Sequence, residues 1–270
     1  MTTKHIIPAN KRELKNYIGI GTTIKNTLTL THRAVLKMLH NPEVFADMTM
    51  MPIVFTIMFA FIFGGAVSGS ISNYLPTLIP GILIMTFITS CGSAGAQIHE
   101  DANKGITNRF RSMPIAYIAP LASILIADFI KYIVAGIIVF VIGFLLGYQP
   151  NAGIIAVVIS ILYLMFITWC LSWVFAWVGM IVKSVSTVTA ISAMLMFPLS
   201  FLSNAFVPVE TMPWWLQWFV NINPLTHVIS AIRILLNNGT VGSDFLLSLI
   251  GSFVLLIIFV PLTIYAYKKK

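Results

Sequence analysis

Residues 132–182 read YIVAGIIVFVIGFLLGYQPNAGIIAVVISILYLMFITWCLSWVFAWVGMIV, without one Asp, Glu, Lys or Arg. At about 1.5 Å of rise per residue, roughly 20 apolar residues cross the hydrocarbon layer of a bilayer, so this stretch holds two crossings. The turn between them is spelled out by YQPNAG at 148–153. Residues 48–98 are equally free of those four residue types and divide at the small residues of 64–70. Working outward by the same rule gives six spans, at about 48–67, 75–98, 127–147, 154–182, 185–203 and 245–267. A backbone in lipid must satisfy its own amides, so the spans are helices. The fold class expected is all-α, a polytopic membrane protein with six transmembrane helices. The break at Lys183, between spans four and five, is the least marked.

Composition agrees. Charged residues are 9% of the 270, hydrophobic residues 58%, and mean hydropathy is +0.94, whereas a soluble domain is about a quarter charged. The net charge of +8 sorts by segment. With the N-terminus inside, the cytoplasmic segments hold the seven basic residues before Asp47, the three between His99 and Tyr117, Lys183 and Lys268 to Lys270, which is fourteen of sixteen. This positive-inside bias puts both termini in the cytoplasm of a cell membrane. Together with attraction to anionic lipid headgroups it accounts for the charge without nucleic acid. The polar opening residues predict no cleavable signal peptide.

Chemistry-bearing patterns are sparse. Cys91 and Cys170 stand in different spans with no CxxC or metal spacing and read as packing residues, and the five histidines form no ligand set. GxxxxGK[ST], GxSxG and HExxH are all missing, so hydrolysis of ATP by this chain alone is not expected. Asp128 and Lys131, three apart on the third span, share a helix face. The plainer reading is a pair near the inner boundary whose lysine snorkels to the headgroups; the sharper one is a buried ionic pair in a transport path.

Three segments lie outside the spans. Within the tail of residues 1–47, Thr22 to His40 places Ile24, Leu28, Val35 and Leu39 near one face and Lys25, Arg33 and Lys37 near the other. Such a basic amphipathic helix is expected in the inner interface, ended by Asn41-Pro42. In the loop HEDANKGITNRFRSMPIAY, residues 99–117, Ile106, Phe110 and Met113 recur at helical spacing until Pro114 stops them, predicting a short helix over about 104–114 that suits a groove on a soluble partner. The third segment, 204–243, is too apolar for water and too short to span. Pro213, Pro224 and the N-cap Asn223 start helices of about 213–220 and 224–238, which fold back into the outer leaflet, with Trp214, Trp215 and Trp218 as an interfacial belt. Glu210, Arg233 and Asp244 are the outer charges, and Arg233 is expected to pair with one of the two carboxylates.

These segments carry a resemblance. Pro224-Leu225-Thr226-His227, then five residues and Arg233, resembles the signature before the last span of ABC-2 type transporter permeases. Phe206-Val207-Pro208-Val209 and Met212-Pro213-Trp214-Trp215-Leu216 resemble the daunorubicin-resistance-like multidrug exporter branch, and Asn108-Arg109-Phe110-Arg111-Ser112-Met113-Pro114 is similar to its coupling element. The resemblance implies one membrane domain over 48–270, the permease half of an ATP-driven exporter. It pairs with a second permease copy, preferably as a homodimer, and with a separate ABC-type ATP-binding subunit. ATP and Mg then sit on that subunit, with no cofactor on this chain. Ile106, Arg109, Phe110, Arg111, Met113 and Pro114 would couple to the ATPase. Glu210, Pro213, Trp214, Trp215, Trp218, Pro224, His227 and Arg233 would form an outer re-entrant gate. The expected cargo is amphiphilic or hydrophobic and antibiotic-like, moved by alternating access. Lipid-linked polysaccharide or teichoic acid precursors are the alternative cargo, and an ion-coupled secondary transporter the alternative class.

Overall fold

A computed structural model describes residues 19–106 and 115–269. The helices of the described residues are α1 (Ile20–Leu39), α2 (Pro42–Ser68), α3 (Ile71–Asn103), α4 (Ile118–Leu145), α5 (Gly153–Ile181), α6 (Val185–Phe201), α7 (Trp214–Ile222), α8 (Pro224–Asn238) and α9 (Ser243–Lys269), with a 3-10 turn at Val209–Thr211. The described residues include no strand. Local chemistry sets several of these ends. The Ser70 and Ser184 hydroxyls accept from the amides of Asn73 and Thr187 at the starts of α3 and α6, which is the N-cap bond that satisfies an orphan amide. Gly239 ends α8 at φ 68°, a left-handed cap that favours glycine.

The long helix α3 is the axis of the bundle, and α2, α4, α5, α6 and α8 all pack on it. Its side chains from Tyr74 through Ile88 form the middle of the core, with Leu75, Leu78, Ile79, Ile82, Leu83 and Phe87 fully enclosed. Small residues let neighbours approach: a Cβ on Gly95 would lie 2.4 Å from the Phe175 carbonyl oxygen, and one on Gly92 would lie 2.7 Å from Ser192 Cβ. Because lipid gives helices no hydrophobic reason to associate, close packing at small residues and hydrogen bonds between helices supply the attraction. The Tyr132 hydroxyl meets Ser172 Oγ at 3.2 Å, joining α4 to α5. The Thr263 hydroxyl donates to the Trp173 carbonyl, joining α9 to α5, and Tyr163 joins Ser248 between the same two helices.

Among the described residues five helices, namely α3, α4, α5, α9 and the Met48–Ser68 part of α2, are long and apolar enough to cross a membrane. The expected fifth span is α6, which at 17 residues is about 25 Å long, short of the ~30 Å hydrocarbon layer. It packs on the half of α3 that leads to His99: its start follows the end of α5, whose Gly179 carbonyl meets His99, Ser192 lies against Gly92, and the chain just past its end brings Ala205 against Gly81. The six long elements therefore connect two ends, a His99 end and a Tyr74 end. The pair α7–α8, bent by 82°, stays at the Tyr74 end, where Arg233 reaches Thr77 and the Ala152 amide donates to the Leu236 carbonyl.

Two elements depart from the sequence expectation. Helix α4 starts at Ile118 and not near 127, because Pro120 sits in its first turn, where a missing N–H costs nothing, and the following residues are apolar. On α1 the stripe Ile24, Leu28, Leu39 points away from the bundle, 55%, 60% and 50% exposed. The face turned toward its neighbours carries Thr23, Thr27, Thr31, Ala34 and Met38. The Thr27 and Thr31 hydroxyls donate to carbonyls four residues back at 2.8 Å, so that face packs on α4 with its polar groups satisfied.

Candidate functional site

Between α2, α3 and α6 lies a cavity of about 310 Å³. Met51 and Phe55 close it on the α2 side, Met196 and Phe197 on the α6 side, and α3 supplies a row of hydroxyls, Thr86, Thr89, Ser90 and Ser93. That row follows from sequence: positions 86, 89, 90 and 93 fall on one helical face. Each of these hydroxyls donates to a carbonyl of its own helix, with Thr86 on Ile82 at 2.8 Å and Ser93 on Ser90 at 2.7 Å. Thr189 and Ser192 of α6 do the same. With their hydrogens committed, the oxygens present lone pairs to the cavity. A flexible thioether and phenyl wall with polar acceptors on one side can hold an amphiphilic molecule without fixing its exact shape.

The ionic pair adjoins this cavity. Lys131 Nζ lies 2.6 Å from Asp128 Oδ1 and donates to Ser93 Oγ at 3.2 Å. The two side chains are 8% and 2% exposed. The expected snorkelling lysine is thus replaced by an enclosed pair. Since α4 begins at Ile118, Asp128 stands ten residues inside the helix, about 15 Å from its end. Reaching for headgroups from there would leave the carboxylate alone.

At the Tyr74 end the helix pair is fixed mainly through backbone oxygens. Arg233 Nη2 donates to the Asn204 carbonyl at 2.7 Å and to the Thr77 carbonyl at 3.4 Å. The expected pairing of Arg233 with Glu210 or Asp244 is corrected: among the described residues Arg233 has no ion pair, Glu210 is exposed, and Asp244 bonds His227 Nδ1 at 2.8 Å. The reason is geometric: the chain turning at Asn204 offers carbonyls to the guanidinium, and Glu210 acts on it through space without touching it. Asn223 caps α8 by accepting from Leu225 N and donates to the Leu199 and Leu202 carbonyls at 2.7 Å each. Asn223→Ala should therefore lower stability by about 2 kcal/mol, read as a shift in the thermal unfolding of purified protein; an unchanged melt would discount the cap. Pro213 ends up as the residue before α7, and Pro224 as the first residue of α8. Trp214, Trp215 and Trp218 are 83%, 53% and 62% exposed, as indoles at a membrane interface would be.

At the His99 end, His99 is fully buried. Its Nδ1 meets the Gly179 carbonyl at 2.8 Å and its Nε2 meets Asn103 Nδ2 at 2.8 Å, which joins α3 to the end of α5. Lys37 of α1 bridges Asp101 at 3.2 Å. Ile106, half-buried, is the last described residue before the gap; Arg109, Phe110, Arg111, Met113 and Pro114 lie outside the described residues. The cavity, the hydroxyl row and His99 were not singled out from sequence. The hydroxyl row had a legible signal in its helical spacing; His99 had none, because Gly179 is eighty residues away.

Comparison with known proteins gives two findings. The profile described as ABC-2 type transporter matches residues 25–237. The chain is also similar to the daunorubicin resistance ABC transporter permease protein DrrB1 of Streptomyces coeruleorubidus, 36% identical over 251 residues, covering 93% of this chain and 88% of that one. The matched span takes in most of α1, the hydroxyl-lined cavity, the ionic pair and almost all of the bent helix pair. On this ground, the chain belongs to the ABC-2 type transporter family and is a multi-pass membrane permease of it.

Proposed function

We propose that the chain is the permease half of an exporter that moves drug-like amphiphiles out of the cell, using ATP hydrolysed by a separate subunit. The observation that carries this reading is the 310 Å³ cavity at the ionic pair, walled by methionine, phenylalanine and hydroxyls. Its size and lining suit a small amphiphile better than a polymer on a lipid carrier. The relative named for daunorubicin resistance supports the same class of cargo. The ion-coupled alternative would need an available titratable group in the membrane, and Asp128 is neutralised by Lys131.

The working unit is two permease copies, with a homodimer favoured, and an ABC-type ATP-binding subunit that carries ATP and Mg. Among the described residues, the His99 end bears Lys37, Lys104, Lys183, Lys268 and Lys269, whereas the other end bears Arg233. Positive-inside bias then puts both termini and the His99 end in the cytoplasm of the cell membrane, and the bent pair outside. The coupling residues 106–114 follow α3 directly, so a push on them would travel along the central helix past the cavity. Closure of the ATPase pair would switch the cavity between inward and outward access, with α7–α8 as the outer gate.

The test is co-purification of the chain with its ATPase subunit, followed by ATP hydrolysis with and without amphiphilic drugs. Stimulation by drugs is expected, and transport driven by a pH gradient without ATP would refute the reading. Phe110→Asp with Met113→Asp should separate the subunits or abolish stimulation; full binding and stimulation in that variant would remove the coupling role.

A further inference from the structure

Toward the Tyr74 end, the cavity between α2, α3 and α6 is walled by Phe55 of α2 and Phe197 of α6. One turn further on, each of these helices carries another phenylalanine, Phe59 and Phe201. Phe206 stands between those two. Ring centres lie 5.9 Å apart from Phe55 to Phe59, 4.3 Å from Phe59 to Phe206, 5.6 Å from Phe206 to Phe201 and 6.0 Å from Phe201 to Phe197. Five rings thus run from one wall of the cavity to the other. The middle ring is on no helix: Phe206 follows α6 on irregular chain and is 6% exposed. Its segment is held at three consecutive residues. Arg233 of α8 donates to the Asn204 carbonyl at 2.7 Å, Ala205 lies against Gly81 of α3, and the Tyr74 hydroxyl donates to the Phe206 carbonyl at 2.8 Å.

We infer that Phe206 is a stopper that shuts the cavity toward the Tyr74 end, and that α8 is the handle that withdraws it through Arg233. Stacked rings attract without directional bonds, so this layer parts and closes again without leaving a polar group unpaired. The hydrogen bonds to the Asn204 and Phe206 carbonyls fix where the ring returns. A ring on α2 or α6 would move only with its helix, whereas Phe206, on the irregular chain between α6 and the bent pair, can leave while the cavity walls stay in place. Because Arg233 belongs to α8, a shift of the bent pair pulls on Asn204, two residues from the stopper. The inference rests on the reading that cargo leaves at the Tyr74 end, and it names what closes that exit and what opens it.

The test introduces Ala193→Cys, which lies in the cavity wall, into the full chain co-expressed with its ATPase subunit. Labelling of position 193 by the membrane-impermeant reagent 2-(trimethylammonium)ethyl methanethiosulfonate is followed in intact cells and, from the other face, in inside-out vesicles. Cys91 and Cys170 are buried and stay unlabelled in a folded chain. With the stopper in place, labelling from outside should be slow. Phe206→Ala should speed it about tenfold as the ring contacts are lost. Tyr74→Phe keeps its ring and loses one hydrogen bond, so it should speed labelling about fivefold; it decides the matter if Phe206→Ala does not fold. Fast labelling of the parent from outside, or no gain from either face in Tyr74→Phe and in folded Phe206→Ala, would overturn the stopper. A gain from the cytoplasmic face alone would uphold it and reverse the orientation. The assay needs no cargo, so a gain without drug-stimulated ATP hydrolysis would uphold the stopper and refute the cargo reading.

Discussion

Gly179→Val is expected to leave little folded chain in the membrane. A Cβ at Gly179 would stand 2.2 Å from the Gly95 carbonyl oxygen, and one at Gly95 would stand 2.4 Å from the Phe175 carbonyl oxygen. The obstacle in both cases is backbone, which cannot rotate aside as a side chain can. Helices α3 and α5 would have to part along their contact, breaking the 2.8 Å link between His99 and the Gly179 carbonyl. Overpacking costs about 1–3 kcal/mol where neighbours can shift; here a loss at or above ~3 kcal/mol is expected. The check is the yield of monodisperse protein and its melting temperature, set against Gly65→Ala, where an added Cβ meets nothing within 4 Å. A wild-type melt for Gly179→Val would show that the crossing is not close-packed.

Lys131→Leu should be nearly as damaging, for an electrostatic reason. Asp128 has one oxygen on Lys131 at 2.6 Å and the other buried without a hydrogen-bond partner. Removing the lysine strands a carboxylate in the bundle, which costs about 3–5 kcal/mol, whereas replacing both partners by apolar groups is close to neutral. The double variant Asp128→Leu with Lys131→Leu is therefore expected to regain most of the lost melting temperature. If the double variant is as unstable as Lys131→Leu, the two residues do not act as a unit.

The sequence disclosed what depends on long apolar runs and turn chemistry. The bends at 148–153 and 237–242, the end of α1 before Pro42 and the helix from Pro224 to Asn238 all stand where expected. What it concealed depends on which faces meet. In sequence Asp128 reads as lying near the inner boundary of a span, yet a carboxylate paired three residues on does not have to face water, so α4 runs nine residues further toward its N-terminus. The apolar stripe of α1 was legible, but not that a threonine face would be the one to pack on α4. The partners of Arg233 depend on the turn at Asn204, twenty-nine residues away, and no local pattern encodes that turn. The cavity arises only when the hydroxyl face of α3 is opposed by the methionines of α2 and α6.

The most direct test of the account is efflux of a fluorescent amphiphile from cells that co-express the ATPase subunit with either the wild-type chain or Ala193→Trp. Ala193 lines the 310 Å³ cavity, so an indole there fills the space without removing a polar contact. The variant should assemble with the ATPase subunit and keep its basal ATP hydrolysis, while efflux falls about tenfold or more, a barrier increase of at least ~1.4 kcal/mol. Efflux at the wild-type rate from a fully assembled Ala193→Trp complex would contradict the passage of cargo through this cavity.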